Sequence, residues 1–85
     1  MIEIDYTKHA IDKFDILSKH GFVIISDQVE ETIANPDILL PQSGGRYIAQ
    51  KGISEDHVLR VIYRKEGVRH IVITFYPGRR DRYED

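Results

Sequence analysis

Three residue types that support phosphoryl chemistry recur in the second half of the chain: Arg60, His70 and Tyr76. Cleavage of RNA without a metal needs a group to take the 2′-hydroxyl proton, a cation for the growing phosphorane charge and an acid for the leaving oxygen. An arginine at position 60 can clamp a phosphate bidentately. His70 titrates near neutrality and can act as base or acid. Tyr76 can stack on a base or give up its proton. His9 is a further candidate at the start of the chain, and Arg64, Thr74, Arg79, Arg80 and Arg82 are candidates for holding the RNA backbone. Each has a plainer alternative: Arg60 paired with a surface carboxylate, His70 exposed, Tyr76 closing the edge of a core, and the arginine-rich tail solvated.

Other chemistries find little support. The chain has no cysteine, so a thiol nucleophile or a cysteine–zinc site is excluded. His9, His20, His57 and His70 show no HxxxH spacing, and no metal is expected. Gly44-Gly45 lacks the lysine of a phosphate-binding loop, and no GxSxG element occurs, so no cofactor is expected.

The elements that must position these residues follow from periodicity. Ile2 to Tyr6 alternates and can open as a short strand. Thr7 suits an N-cap, and Ala10, Ile11, Phe14 and Leu17 follow at helical spacing, with Gly21 as the stop. Phe22 to Ile25 reads as either strand or buried linker. Ser26 or Asp27 can cap a second helix, with Asp27 and Glu30 spaced as a capping box, Val29 and Ile33 as its apolar stripe, and Asn35-Pro36 as its end. Asp37 to Leu40 is extended, Pro41 to Gly45 a loop, and strands are expected at Arg46–Lys51, His57–Arg64 and Val68–Tyr76. The last two form a hairpin in which Gly67 supplies a positive φ. This order predicts an α+β domain, with one or two N-terminal helices on one face of a three- to four-stranded antiparallel sheet.

Pairing Arg64 with Val68 sorts the hairpin into two faces. Leu59, Val61, Tyr63, Ile71, Ile73 and Phe75 form an apolar face for the helices. Val58, Arg60, Ile62, Arg64, Val68, His70, Val72, Thr74 and Tyr76 form the other, bringing Arg60 and His70 within reach. A slip of one residue exchanges the faces.

The chain of 85 residues is expected to be one domain, 1–85, with a charged, partly disordered tail from about residue 77. A net charge of −2 argues against strong nonspecific nucleic-acid binding, but it averages two unlike halves. Residues 1–45 hold three basic and eight acidic side chains (−5), and residues 46–85 hold nine basic and six acidic (+3), which directs an anionic ligand to the second half. No run approaches the length of a membrane span and no signal peptide opens the chain, so a soluble, cytoplasmic protein is expected.

The order of segments resembles the RelE/ParE superfamily of bacterial and archaeal type II toxins, in particular a branch with an N-terminal His-Ala motif and a C-terminal Val-Ile-Thr-x-Tyr-Pro-like strand. The matching pieces are His9-Ala10, Asn35-Pro36-Asp37, Leu59 to Arg64, and Ile71-Val72-Ile73-Thr74-Phe75-Tyr76-Pro77. Lys13 departs from the arginine expected after His-Ala, and the overall charge is less basic than in ribonuclease toxins. The resemblance implies a RelE-like fold whose concave sheet face meets RNA, often mRNA on the ribosome, and a cognate antitoxin that wraps it. Carried over by position, it supports Arg60, Thr74 and Tyr76 on that face and His9 on the first helix; His70 rests on the residue-level reading alone. The implied function is a metal-independent endoribonuclease of a toxin–antitoxin system. The alternative is a non-enzymatic interaction module, as in the gyrase-directed ParE branch or a decayed toxin. A homodimer is a further alternative.

Overall fold

A computed structural model describes residues 2–83. A short strand, β1 (Glu3–Tyr6), leads into α1 (Lys8–Lys19) and α2 (Ser26–Ala34). Four strands follow: β2 (Ile38–Pro41), β3 (Arg46–Gly52), β4 (His57–Glu66) and β5 (Arg69–Arg79). A helical turn, α3 (Arg80–Tyr83), ends the described chain. The class is α+β, as the order of patterns predicts. The sheet is larger than expected and mixed rather than antiparallel. Its five strands run in the order β1-β5-β4-β3-β2, with β1 parallel to β5.

The local signals explain most element ends. Thr7 caps α1, its hydroxyl accepting from the Ala10 N–H at 3.1 Å, and Gly21 adopts φ 89° beyond the helix. α2 starts earlier than its polar residues suggest. Ile25 holds the N-cap position, and Gln28 Oε1 accepts from the Ile25 N–H at 3.0 Å, so Gln28 does the work assigned to an Asp27–Glu30 box. Phe22 to Ile25 is a linker that inserts Ile24 into the core. The segment expected as a loop after Pro41 is a 3-10 turn, Ser43–Gly45.

Both long helices cover one face of the sheet. Ala10, Leu17, Val29 and Ile33 pack there against Ala49, Leu59, Val61, Tyr63, Val72 and Phe75, all buried. Phe14 meets Phe75 with ring centroids 4.6 Å apart. Ile11 lies outside this contact and is exposed. At the edge, the Tyr6 hydroxyl donates to Glu30 at 2.9 Å; burial, then this bond, pushes the Tyr6 phenol well above its ordinary value.

The hairpin register departs from the expected one in two ways. Gly67, at φ 62°, and Val68 form the turn between Glu66 and Arg69, a positive φ that suits the first position of a type II′ turn. In addition, the ladder shifts by one residue between Ile62–Thr74 and Tyr63–Val72, leaving Ile73 unpaired as a bulge. Thr7 fastens this bulge, its hydroxyl donating to the Ile73 carbonyl at 3.1 Å. The bulge returns every residue before it on β5 to the opposite face. Thr74 and Tyr76 keep the predicted side; His70 and Val72 turn to the helices, and Ile71 turns away from them.

The expected tail is also corrected over residues 77–83; its last two residues lie outside those described. β5 continues to Arg79, and α3 folds back onto the sheet face that α1 and α2 leave open. Among the described residues, no helix is long and apolar enough to cross a membrane.

Candidate functional site

The face away from the long helices is ordered by the strand ladder into rows. One row runs Ile38, Gln50, Arg60, Tyr76; the next runs Leu40, Ile48, Ile62, Thr74; a third carries Arg46, Arg64 and Ile71. Arg60 is therefore beside Gln50 and Tyr76 and diagonal to Thr74. On its other flank are Gly52, Val58 and Gly78.

The C-terminal turn closes over this flank. The Arg80 N–H donates to the Asp56 carbonyl at 2.9 Å and Arg80 Nε to the Ser54 carbonyl at 2.7 Å. These bonds lay the Tyr83 ring on the guanidinium of Arg60, with Cζ 4.2 Å from the ring centroid; the Tyr76 ring is 5.9 Å from the same atom. Gln50, almost wholly buried, donates from Nε2 to the Tyr83 carbonyl at 3.3 Å. Two strand glycines make the fit possible. A Cβ at Gly78 would run into the Tyr83 ring, and one at Gly52 would run into the Arg80 guanidinium.

Among the described residues, Arg60 has aromatic faces but no carboxylate. It makes no ion pair or hydrogen bond among the described residues, and its Nε is buried without a partner. The hydroxyl of Thr74, on the adjacent row, is likewise buried and unpartnered. Buried polar groups are normally satisfied, so two neighbouring orphans, one of them cationic, mark a place suited to an anionic acceptor.

The remaining sequence candidates do not converge on this point. His70 lies on the helix side, buried, and stacks on Tyr63 with centroids 5.1 Å apart; Tyr63 in turn stacks on Tyr47 at 5.6 Å. Burial, then the nearby Lys65 ammonium, lowers the His70 pKa, and its Nδ1 has no partner. The bulge thus removes His70 from the arginine face and makes it part of the core wall. His9 is exposed on α1, across the sheet from Arg60. Arg64 shares the face of Arg60 but its Nε donates to Glu66 at 2.8 Å. Arg79 pairs with Asp81 at 3.3 Å, Arg80 anchors the turn, and Arg82 is exposed.

Four contributors were missed in the sequence. Gln50 was legible only as the polar phase of an alternating strand, and Tyr83 only as the sole aromatic residue of the charged tail. The glycines at 52 and 78 read as punctuation, whereas each is a socket for a side chain of α3. Among the described residues, no three His, Asp or Glu side chains are grouped to hold a metal. No protein-family model matches the chain, and neither a curated protein nor a solved structure matches it.

Proposed function

We propose that this protein is a RelE-like, toxin-type domain that engages single-stranded RNA on the Arg60 face. The observation that carries this reading is the unpaired guanidinium of Arg60, flanked by two tyrosine rings and beside the orphan Thr74 hydroxyl. A cation with free donors suits a phosphate, and stacked aromatic rings suit bases. The two helices on one sheet face and the His9-Ala10 and Ile71–Pro77 segments support the RelE/ParE resemblance. In a metal-independent cleavage of mRNA, Arg60 stabilises the phosphorane charge and Tyr76, its ladder partner on β5, is the proton-transfer group. A cognate antitoxin and a cytoplasmic setting belong to the same reading.

A second reading has an observation of its own. His70 and His9 stand across the sheet, which leaves the Arg60 face, among the described residues, without an imidazole or carboxylate base beside the guanidinium. That favours an interaction module that binds without cleaving.

A cell-free translation reaction with mapped mRNA ends separates the two. Cleavage sites that vanish with Arg60→Ala, in a variant that still melts cooperatively, support the ribonuclease. Intact mRNA at high concentrations of folded protein removes the catalytic reading and leaves the binding one.

A further inference from the structure

Tyr83 occupies its place with an unusual degree of preparation. The sheet beneath its ring lacks a side chain at Gly78, where a Cβ would collide with the ring, while Gly52 leaves room for the end of the Arg80 side chain beside it. The guanidinium of Arg60 offers one flat surface to the ring. At the rim, the buried amide of Gln50 donates from Nε2 to the backbone carbonyl of Tyr83, through a long bond of 3.3 Å. Beside the slot, Arg60 Nε and Thr74 Oγ1 are buried with no partner among the described residues. A tyrosine packed for stability alone requires the flat surface and the glycine, but leaves the two orphans unexplained.

We propose that this slot is a nucleotide subsite, occupied in the free protein by Tyr83 as an internal stand-in for a purine base. The inference rests on the RNA reading of the Arg60 face and names the chemistry of that face. With α3 displaced, a purine stacks on the Arg60 guanidinium in place of the phenol ring. The Gln50 amide, a donor and an acceptor side by side, meets an adenine edge, which offers the complementary pair. The attached phosphate takes Arg60 Nε and the Thr74 hydroxyl, satisfying both orphans with one anion. The energetic condition is modest. α3 is a single helical turn held on the sheet by the backbone and side chain of Arg80 and by the Tyr83 contacts, so a ligand that replaces the ring compensates for much of what it displaces.

The test is titration of the full chain with adenosine 5′-monophosphate, followed by calorimetry or by shifts of amide resonances. Tyr83→Ala empties the slot and is expected to bind the nucleotide about tenfold more tightly than the parent, the scale of one competing stack. Gly78→Ala, which crowds the ring from its socket while keeping Tyr83, is expected to act in the same direction. Adding Arg60→Ala to Tyr83→Ala abolishes the gain, and adding Gln50→Leu removes the preference for the adenine over the uridine nucleotide. Tyr83→Ala and Gly78→Ala proteins that fold but bind no more tightly than the parent overturn the proposal. So does an opened slot that captures an acidic peptide and not the nucleotide. Failure of the two readings is distinguishable: nucleotide binding in the opened slot without mRNA cleavage keeps the subsite and removes the ribonuclease, whereas Arg60-dependent cleavage with no nucleotide gain removes the subsite alone.

Discussion

Arg60 and His70 began with equal standing as residues able to do chemistry, and their surroundings separate them. Arg60 has stacked rings and an unsatisfied Nε on an open face. His70 is walled in between Tyr63 and Lys65, where the charged form of the imidazole is disfavoured. Its folded pKa lies below the value of about 6.5 in an unfolded chain, so the unfolded state takes up the proton first on acidification. The stabilising contribution of neutral His70 is complete above that value and is lost as pH falls through the folded pKa. Melting temperatures measured from pH 7.5 downward should therefore decline in the parent, and less steeply in His70→Phe, which keeps a ring against Tyr63 without a titrating group. An identical slope in both proteins contradicts the assignment. Arg60→Ala, by contrast, should alter stability little and RNA contact strongly.

At the scale of elements, the bulge at Ile73 decides which residues share the arginine face. Thr7 ties it to α1, accepting from the Ala10 N–H and donating to the Ile73 carbonyl. Thr7→Ala loses both a helix cap and a bond to a strand carbonyl, and is expected to cost about 1–2 kcal/mol by urea denaturation. A change of a few tenths or less would show that the bulge holds without it. Phe75, fully buried against Phe14, marks the centre of the same core. Phe75→Ala is expected to cost about 3–5 kcal/mol, enough to threaten folding of so small a domain. Much of this architecture was legible in the sequence. Thr7, Gly21 and Gly67 announce their roles through local chemistry, and the alternation of Leu59, Val61 and Tyr63 gives the core face of β4. The bulge was not legible, because an unpaired residue in a run such as Ile71-Val72-Ile73 leaves no trace in hydrophobicity. Its consequence was the exchange of His70 for Ile71 on the far face. β1 was anticipated as a short strand, but its parallel pairing with β5 is a long-range choice that no local pattern encodes.

Across the whole molecule, charge and layering coincide. The helical layer, with Asp27, Glu30 and Glu31 along α2, belongs to the acidic first half, while Arg46, Arg60 and Arg64 share the open sheet face. The near-neutral total thus conceals an uneven distribution, with three arginines gathered on the open sheet face. That side also exposes Ile38 and Leu40, so an apolar strip borders the arginine rows. The site itself was half legible. Arg60, Thr74 and Tyr76 were found by alternation. Gln50 comes from the next hairpin, and Tyr83 from a tail whose composition reads as solvated; both reach the site through tertiary contacts. The central claim is that Arg60 on this face contacts RNA, and fluorescence anisotropy with a short single-stranded RNA tests it most directly. Affinity is expected to fall with added salt and to be largely lost in Arg60→Ala, but to be kept in Arg69→Ala, whose guanidinium is already paired with Asp5. Equal binding by the parent and the folded Arg60→Ala protein, or no binding at low salt, would contradict the account.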